Sequence, residues 1–457
     1  MIRYAVAFGL LLLPLPSGCS SGDSSSGPPA DAATSDGASD AGLDGDSSVS
    51  DTGVGDAADA GATILSLPSS GIFEAETHLV EAPGGRSLAV WMTLGASADI
   101  NGYAVSEDQG ASWSKPQLLT GKPSKGDPVA TFGSDGSLYY GFLDGICDTQ
   151  GCSKGHVWIA RMPPGSKTFE PAVDASPADP TEFYDKPWLM TAADGTLVLV
   201  VNARVGLNPT NVDRIVVARS TDGKSWSQTD AVPKLPLGQI AGIPHACISR
   251  QGSRMWIAYV DSSTATYSSL RWSDDLGQTW SPTNVSSGFA PASLAGQVQA
   301  YDLRCVGEQD DVWVMYGLAT GPGTTTGIPP LNEIRVAHSG DGGVSWDPAV
   351  ALSEPGLKYL RPEIARSATG ELVVIAYAGA QDGDPAGSMR WWQSADGGKS
   401  FSARGAFHAP ISFTGDRQSQ TWIGDYSGLL VSGGTVRTTF IDNSSGAAHV
   451  VFRSWGL

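Results

Sequence analysis

An eight-residue frame, Ser-x-Asp-x-Gly-x-(Ser/Thr)-Trp, recurs along this chain at intervals of roughly 55–65 residues, the mark of a repeat architecture. It is complete at Ser106–Trp113, Ser273–Trp280 and Ser339–Trp346. Ser394–Phe401 carries Phe in place of Trp, Ser220–Trp226 is one residue short, and a copy near Pro164–Phe169 has lost its Asp. Each part has a structural reason. Gly supplies the positive φ that a tight turn between strands needs. The carboxylates of Asp108, Asp222, Asp275, Asp341 and Asp396 can accept bonds from nearby backbone amides and lock the turn. The aromatic residue starts the next strand and can tuck between neighbouring sheets. These are structural turns, and none of their parts implies catalysis.

Around the frames run seven units, each an apolar strand, a Gly-rich turn and a second apolar strand. The first strands begin near His78, Pro128, Pro187, Pro244, Asp302, Pro362 and Gly424; the second include Leu88–Trp91, Leu138–Phe142 and Leu372–Tyr377. Most units continue to a third strand, such as His156–Ala160 or Ile334–Ala337, with the frame following. No long segment has a 3.6-residue period, so helices should be rare. Four antiparallel strands repeated around an axis make a β-propeller, an all-β fold. The last unit ends after its third strand, and Ala62–Leu67, just before the first unit, can supply the missing fourth and close the ring.

The frame resembles the Asp-box, or BNR, repeat of the sialidase-like β-propellers. That resemblance implies four-stranded blades with the box on the turn between the third and fourth strands, at the rim and away from the active site. The sialidases of the family have six blades; seven units favour seven here, with six as the alternative. The resemblance implies fold more strongly than activity. In sialidases three Arg clamp the substrate carboxylate, a Tyr paired with Glu is the nucleophile, and an Asp is the acid/base. The family's opening (Phe/Tyr)-Arg-Ile-Pro motif is missing, with Glu76-Thr77-His78-Leu79 in its place. Arg304 and Arg361 are possible clamp members and Arg204 a distant third, but no catalytic residue of the family carries over.

Outside the repeats, Arg3 and the apolar run Ala5–Leu15 lead to Pro16-Ser17-Gly18-Cys19, which resembles a bacterial lipoprotein signal over 1–19 with Cys19 lipidated. The position three before the Cys holds Pro16 where such signals prefer Leu or another aliphatic residue, so secretion without a lipid is the alternative. The run is too short to span a bilayer. Residues 20–62 are nearly all Ser, Asp, Gly and Ala, with nine Asp and no Lys, Arg or Glu, and are expected to be a disordered tether. The net charge of −19 and the absence of a basic stripe disfavour a nucleic-acid partner. Residues 63–457 form one propeller, expected to be a monomer that meets the membrane only through its lipid.

Exported cysteines tend to pair. Cys147 and Cys152 flank four residues and read as a loop staple, while Cys247 and Cys305 sit at the same offset in the first strands of two successive units, where a bridge would join neighbours near the axis. Cys-x4-Cys has no matching His or Cys pair nearby, so a metal site is not expected. No cofactor is expected either, although a structural cation in the acidic channel is possible.

First strands line a propeller's channel. Aligning the units gathers polar residues at one mouth: Glu76, His78, Asp127, Asp185, Lys186, His245, Asp302, Arg304, Arg361, Glu363, Asp425 and Tyr426, with Trp188 and Trp422 among the aromatics. Converging charge suits a polar ligand, and aromatic faces stack on the C–H surface of sugars. Asp127, Asp185, Glu363, Asp425 and Tyr426 are the candidates for chemistry; His78, Lys186, Trp188, His245, Asp302, Arg304, Arg361 and Trp422 are the candidates for binding. Salt-bridged loop anchors would use the same residues. The function expected is recognition of a glycan or other polar ligand by an exported, surface-tethered protein; the alternative is a sialidase-like glycoside hydrolase acting through mouth carboxylates. Whether the chain is an enzyme stays open.

Overall fold

The computed structural model describes residues 61–66, 72–95, 100–122, 126–148, 151–176, 182–205, 212–236, 238–319, 329–414 and 421–457. Cys19, the signal-like segment and the tether up to residue 60 lie outside the described residues, as do the side chains of Cys147, Cys152 and Arg204.

A two-residue strand, β1 (Thr63–Ile64), precedes five four-stranded antiparallel sheets and one of eight strands. The first sheet is β2 (Ile72–Glu81), β3 (Ser87–Gly95), β4 (Ile100–Ser106) and β5 (Gln117–Leu118). The eight-stranded sheet holds β6 (Gly126–Phe132), β7 (Leu138–Asp148), β8 (Gly151–Met162) and β9 (Val173–Asp174), then β10 (Glu182–Thr191), β11 (Leu197–Val205), β12 (Val212–Ser220) and β13 (Ser227–Val232). Its two antiparallel halves meet at one parallel pair, Phe183 with Gly155. Next come β14 (Ala241–Ile248), β15 (Met255–Asp261), β16 (Ser268–Ser273) and β17 (Val285–Ser286), then β18 (Val298–Glu308), β19 (Asp311–Leu318), β20 (Glu333–Ser339) and β21 (Val350–Leu352). After these lie β22 (Lys358–Arg366), β23 (Leu372–Gly379), β24 (Asp384–Ser394) and β25 (Ser402–Phe413). The last sheet joins β26 (Gly428–Ser432), β27 (Thr435–Asp442) and β28 (His449–Gly456) to β1.

The arrangement is a β-propeller, closed as the sequence suggests: Thr63 pairs with Phe452, Ile64 with Val451, and the Leu65 amide donates to the Val450 carbonyl at 2.9 Å. Closing the ring with the first strand removes a sheet edge. Among the described residues the only helix is a single 3₁₀ turn, Ala292–Leu294. One expectation fails at its boundary. The last unit's first strand starts at Gly428, so Gly424, Asp425 and Tyr426 belong to the approach to β26.

The Asp-box turns are nearly identical. Ser106 Oγ donates to Asp108 and accepts from the Gly110 amide, both at 2.8 Å; Asp108 then accepts from the Ser112 amide (2.8 Å) and hydroxyl (2.6 Å). Asp275, Asp341 and Asp396 repeat the pattern, and the shortened box keeps its core around Asp222. These bonds favour the carboxylate, holding Asp222, Asp341 and Asp396 down at about 2. The box glycine is required twice over at Gly110: its φ is +87°, and an added Cβ would lie 2.4 Å from the Phe452 ring.

The box aromatics decide where the core sits. Among the described residues there are six hydrophobic clusters, and each takes a different one: Trp113, Phe169, Trp226, Trp280, Trp346 and Phe401. Trp113 meets Phe452 of β28 edge-on at 4.9 Å, Phe169 meets Tyr103 of β4, and Trp346 meets Phe289 beyond β17. Each of these three packs against the preceding unit, so the repeated residue is the mortar between sheets. Near the axis, Cys247 of β14 and Cys305 of β18 form a disulfide between neighbouring inner strands, as expected. The backbones of Cys147 and Cys152 pair directly across the β7–β8 hairpin.

Candidate functional site

The site is built on one repeated irregularity. Inner strands β2, β6, β10, β14, β18 and β22 each slip register against the second strand, between Ala75 and Thr77, Gly126 and Val129, Asp185 and Trp188, Gly242 and His245, Gln299 and Arg304, and Leu360 and Glu363. Such bulges re-aim side chains. At five of them a non-glycine residue is left-handed: Glu76 (φ 50°), Asp127 (47°), Lys186 (51°), Ile243 (50°) and Arg361 (51°). Four of the five precede proline, which disfavours the right-handed helical region for the residue before it. At Gly424 (φ 86°) a Cβ would sit 2.3 Å from the Glu76 amide nitrogen, so only glycine fits. The strain is local and sits where the charged residues converge.

Those charges largely satisfy one another. Lys186 Nζ donates to Asp127 (3.2 Å) and Asp425 (2.9 Å), and the Lys186 amide donates to Asp127 and Asp185. Glu76 accepts from the Asp127 amide at 3.2 Å. Arg361 donates to the Gly424 carbonyl and to Asp425, at 2.8 and 2.9 Å. Arg304 holds Glu363 with a two-pronged fork, both arms 2.9 Å. Asp302 is fully buried, its charge facing Arg361 Nη1 at 3.8 Å. Burial raises the pKa of Asp127 to about 6, against Lys186 and helped by Asp185 and Asp425. It also raises Asp302 and Glu363, against Arg361 and Arg304 respectively. Burial works against the Lys186 ammonium, but Asp127, Asp425 and Glu76 outweigh it and hold its pKa well above the usual lysine value.

Two imidazoles stand on either side of Trp188. His78 Nδ1 accepts the Ala130 amide at 3.3 Å, and His245 Nδ1 accepts the Cys305 amide at 3.1 Å, each amide belonging to the next inner strand. A backbone N–H can only donate, so both rings are neutral with the proton on Nε2. Burial agrees, pushing His78 down to about 4 and His245 well below its ordinary value. Neither ring therefore offers a metal a lone pair without losing its anchor. Among the described residues no three His, Cys, Asp or Glu side chains converge as metal ligands. Trp188 packs edge-on to His78 (5.1 Å), tilted on His245 (4.1 Å) and edge-on to Tyr426 (6.5 Å). The Tyr426 hydroxyl donates a hydrogen bond to the Pro128 carbonyl at 3.1 Å, and burial with the nearby carboxylates raises its pKa well above that of free tyrosine. That is the reverse of an activated nucleophile.

A narrow depression opens here. Its polar lining comes from Lys186, His245, Arg304, Asp425 and Tyr426, its apolar lining from Pro187, Trp188, Ile243 and Pro244. Asp127, Asp302, Arg361 and Glu363 belong to the ion-pair network behind it, and His78 buttresses Trp188. Asp185 is half-buried beside Lys186. Trp422 is buried and does not line the depression. Ile243 escapes a search for polar residues. The signal that finds it is its alignment with the other residues preceding an inner-strand proline, Asp127, Lys186 and Arg361.

Residues 156–355 match the family model for the BNR repeat-like domain. No curated protein matches the chain in sequence. Among solved structures, a PL25 ulvan lyase bound to GlcA(1-4)Rha3S is similar at a TM-score of 0.50 and 13% identity, over 84% of this chain and 95% of that one. A Hadza microbial sialidase gives 0.46 at 15% identity over 84% of this chain, which spans 66% of the sialidase. A GH93 α-L-arabinofuranosidase of Fusarium graminearum with arabinobiose gives 0.48 at 13% identity, over 86% and 97%. At such identities a likeness establishes fold alone. The fold is a β-propeller, and residues 156–355 of it carry BNR-like repeats.

Proposed function

We propose that the channel mouth binds a glycan and performs no chemistry on it. The observation that carries this is the position of Lys186. Its ammonium lies directly between Asp127 and Asp425, bonded to both. A glycosidase places the scissile bond between its two carboxyl groups, about 5–9.5 Å apart depending on mechanism. Here a protein cation fills that space. Glu363 is likewise clasped by Arg304, and the Tyr426 hydroxyl donates to the Pro128 carbonyl. What faces the depression instead is an indole held rigid by three rings, with hydrogen-bonding groups around it, the pairing that suits a sugar.

One observation favours hydrolysis: Asp127, raised to about 6, is tuned towards a general acid. That reading requires Lys186 to swing out when ligand enters. A single experiment separates the two. The full chain is applied to an array carrying sialosides, arabinobiose and sulfated rhamnose–glucuronate oligosaccharides, and in parallel to fluorogenic glycosides. Retention without turnover, lost in Trp188→Ala, is expected. Turnover lost in Asp127→Asn would establish the hydrolase; neither retention nor turnover would overturn both readings.

The same proposal includes seven blades, counting the eight-stranded sheet as two because its halves share one residue pair. It also includes export with Cys19 as the lipid anchor and residues 20–62 as the tether. Palmitate labelling in a bacterial host, abolished by Cys19→Ala, is the expected outcome.

A further inference from the structure

Five non-glycine residues hold a left-handed backbone at the inner-strand bulges, and four of them have an evident use for their side chains. Glu76 accepts the Asp127 amide, Asp127 holds Lys186, Lys186 bridges two carboxylates, and Arg361 holds Asp425 and the Gly424 carbonyl. Ile243 is the fifth. It has no polar atom for the network, and none of the six hydrophobic clusters includes it or has it packed against them. A β-branched side chain at φ 50° is the least tolerated of all residue types there, where Gly or Asn would be unstrained. The molecule thus places a strained apolar side chain at the mouth, outside the six clusters of the described residues. That side chain is half-buried and lines the depression with Trp188, Pro187 and Pro244.

We propose that Ile243 is a specificity-determining residue of the mouth, forming with Trp188 an apolar contact for the C–H face of a sugar ring. This rests on the glycan-binding reading above and names which part of the ligand is recognised. A pyranose with its axial hydrogens on one side presents such a face, whereas a ring carrying an axial hydroxyl or sulfate there leaves a polar group against Ile243 without a partner. The bulge and Pro244 fix where the side chain stands, so the contact is formed before the ligand arrives.

The test uses the full chain and the same oligosaccharide array. Ile243→Asn and Ile243→Gly relieve the backbone and remove the apolar contact; Ile243→Leu keeps the contact. The expected result is a thermal midpoint equal to or above wild type for Asn and Gly, retention weakened at least about tenfold by both, and retention restored in Leu. A lowered midpoint for Asn and Gly alike would show that Ile243 serves the fold and overturn the proposal. Unchanged retention in Ile243→Asn, with wild type binding, would overturn it and leave the glycan-binding reading standing. No retention by wild type would overturn the binding reading, and this proposal with it.

Discussion

The rim and the mouth of this propeller handle carboxylates in opposite ways. At the rim, four of the five Asp-box acids are exposed and Asp275 is half-buried; all take their bonds from residues two to four positions away, and every box has glycine in a left-handed place, joined by Gln109 and Leu276 in two of them. At the mouth, Glu76, Asp127, Asp302, Glu363 and Asp425 are buried with partners 51 to 239 residues away, and charged or bulky residues carry the left-handed strain. Burial pushes Asp127 up, whereas local hydrogen bonds push the box acids down. A local network is complete once its turn forms. A long-range network is complete only when the ring closes, so it reports on the whole fold, and the loss of one member leaves an opposite charge buried without its partner.

The sharpest break of this comparison is Arg361→Ala. It removes the cation facing both Asp425 and Asp302 and should lower stability by about 3–5 kcal/mol in urea denaturation. A box substitution such as Asp396→Ala should cost far less, and equal losses would end the distinction. Replacing both Cys247 and Cys305 with Ser, which frees a sequence separation of 58 residues, should cost about 2–4 kcal/mol by the same measurement.

The pH dependence is expected to differ in sign between regions. From about pH 4 to 6, native Asp127 keeps a proton that the unfolded chain has released, so its contribution to stability falls as pH rises, by on the order of 1–3 kcal/mol. His78 acts the other way: between about pH 4 and 6.5 the unfolded imidazole binds a proton and the native one does not, so stability rises with pH. Denaturation midpoints across this range should slope more steeply upward with pH in Asp127→Asn than in wild type. Asp222, Asp341 and Asp396, depressed to about 2, contribute stability above about pH 4 that is lost as pH falls towards 2, and Asp396→Ala should soften that acid limb. At the seam between units, Gly110→Ala should cost about 1–3 kcal/mol, because its Cβ would press on Phe452 across the closure.

Much of the fold was legible in the chain because its determinants are local. Ser, Asp and Gly at fixed offsets write the turn, alternation writes the strands, and one aromatic per box writes the packing between units. Even the closing strand and the Cys247–Cys305 bridge could be read, since repetition places equivalent residues at equivalent depths. Alignment of the units also gathered residues that the structure brings together around the mouth, Trp422 apart. It did not say what they do there. That Lys186 lies between Asp127 and Asp425, that Arg304 is committed to Glu363, and that Ile243 lines the depression while Trp422 does not were decided by the tertiary structure. Each depends on where strands from distant units meet around the axis, and on bulges whose left-handed residues no propensity scale favours. The sequence by itself determined the repeating unit and its turns; only ring closure decided which charges are spent on one another and which surface remains for a ligand.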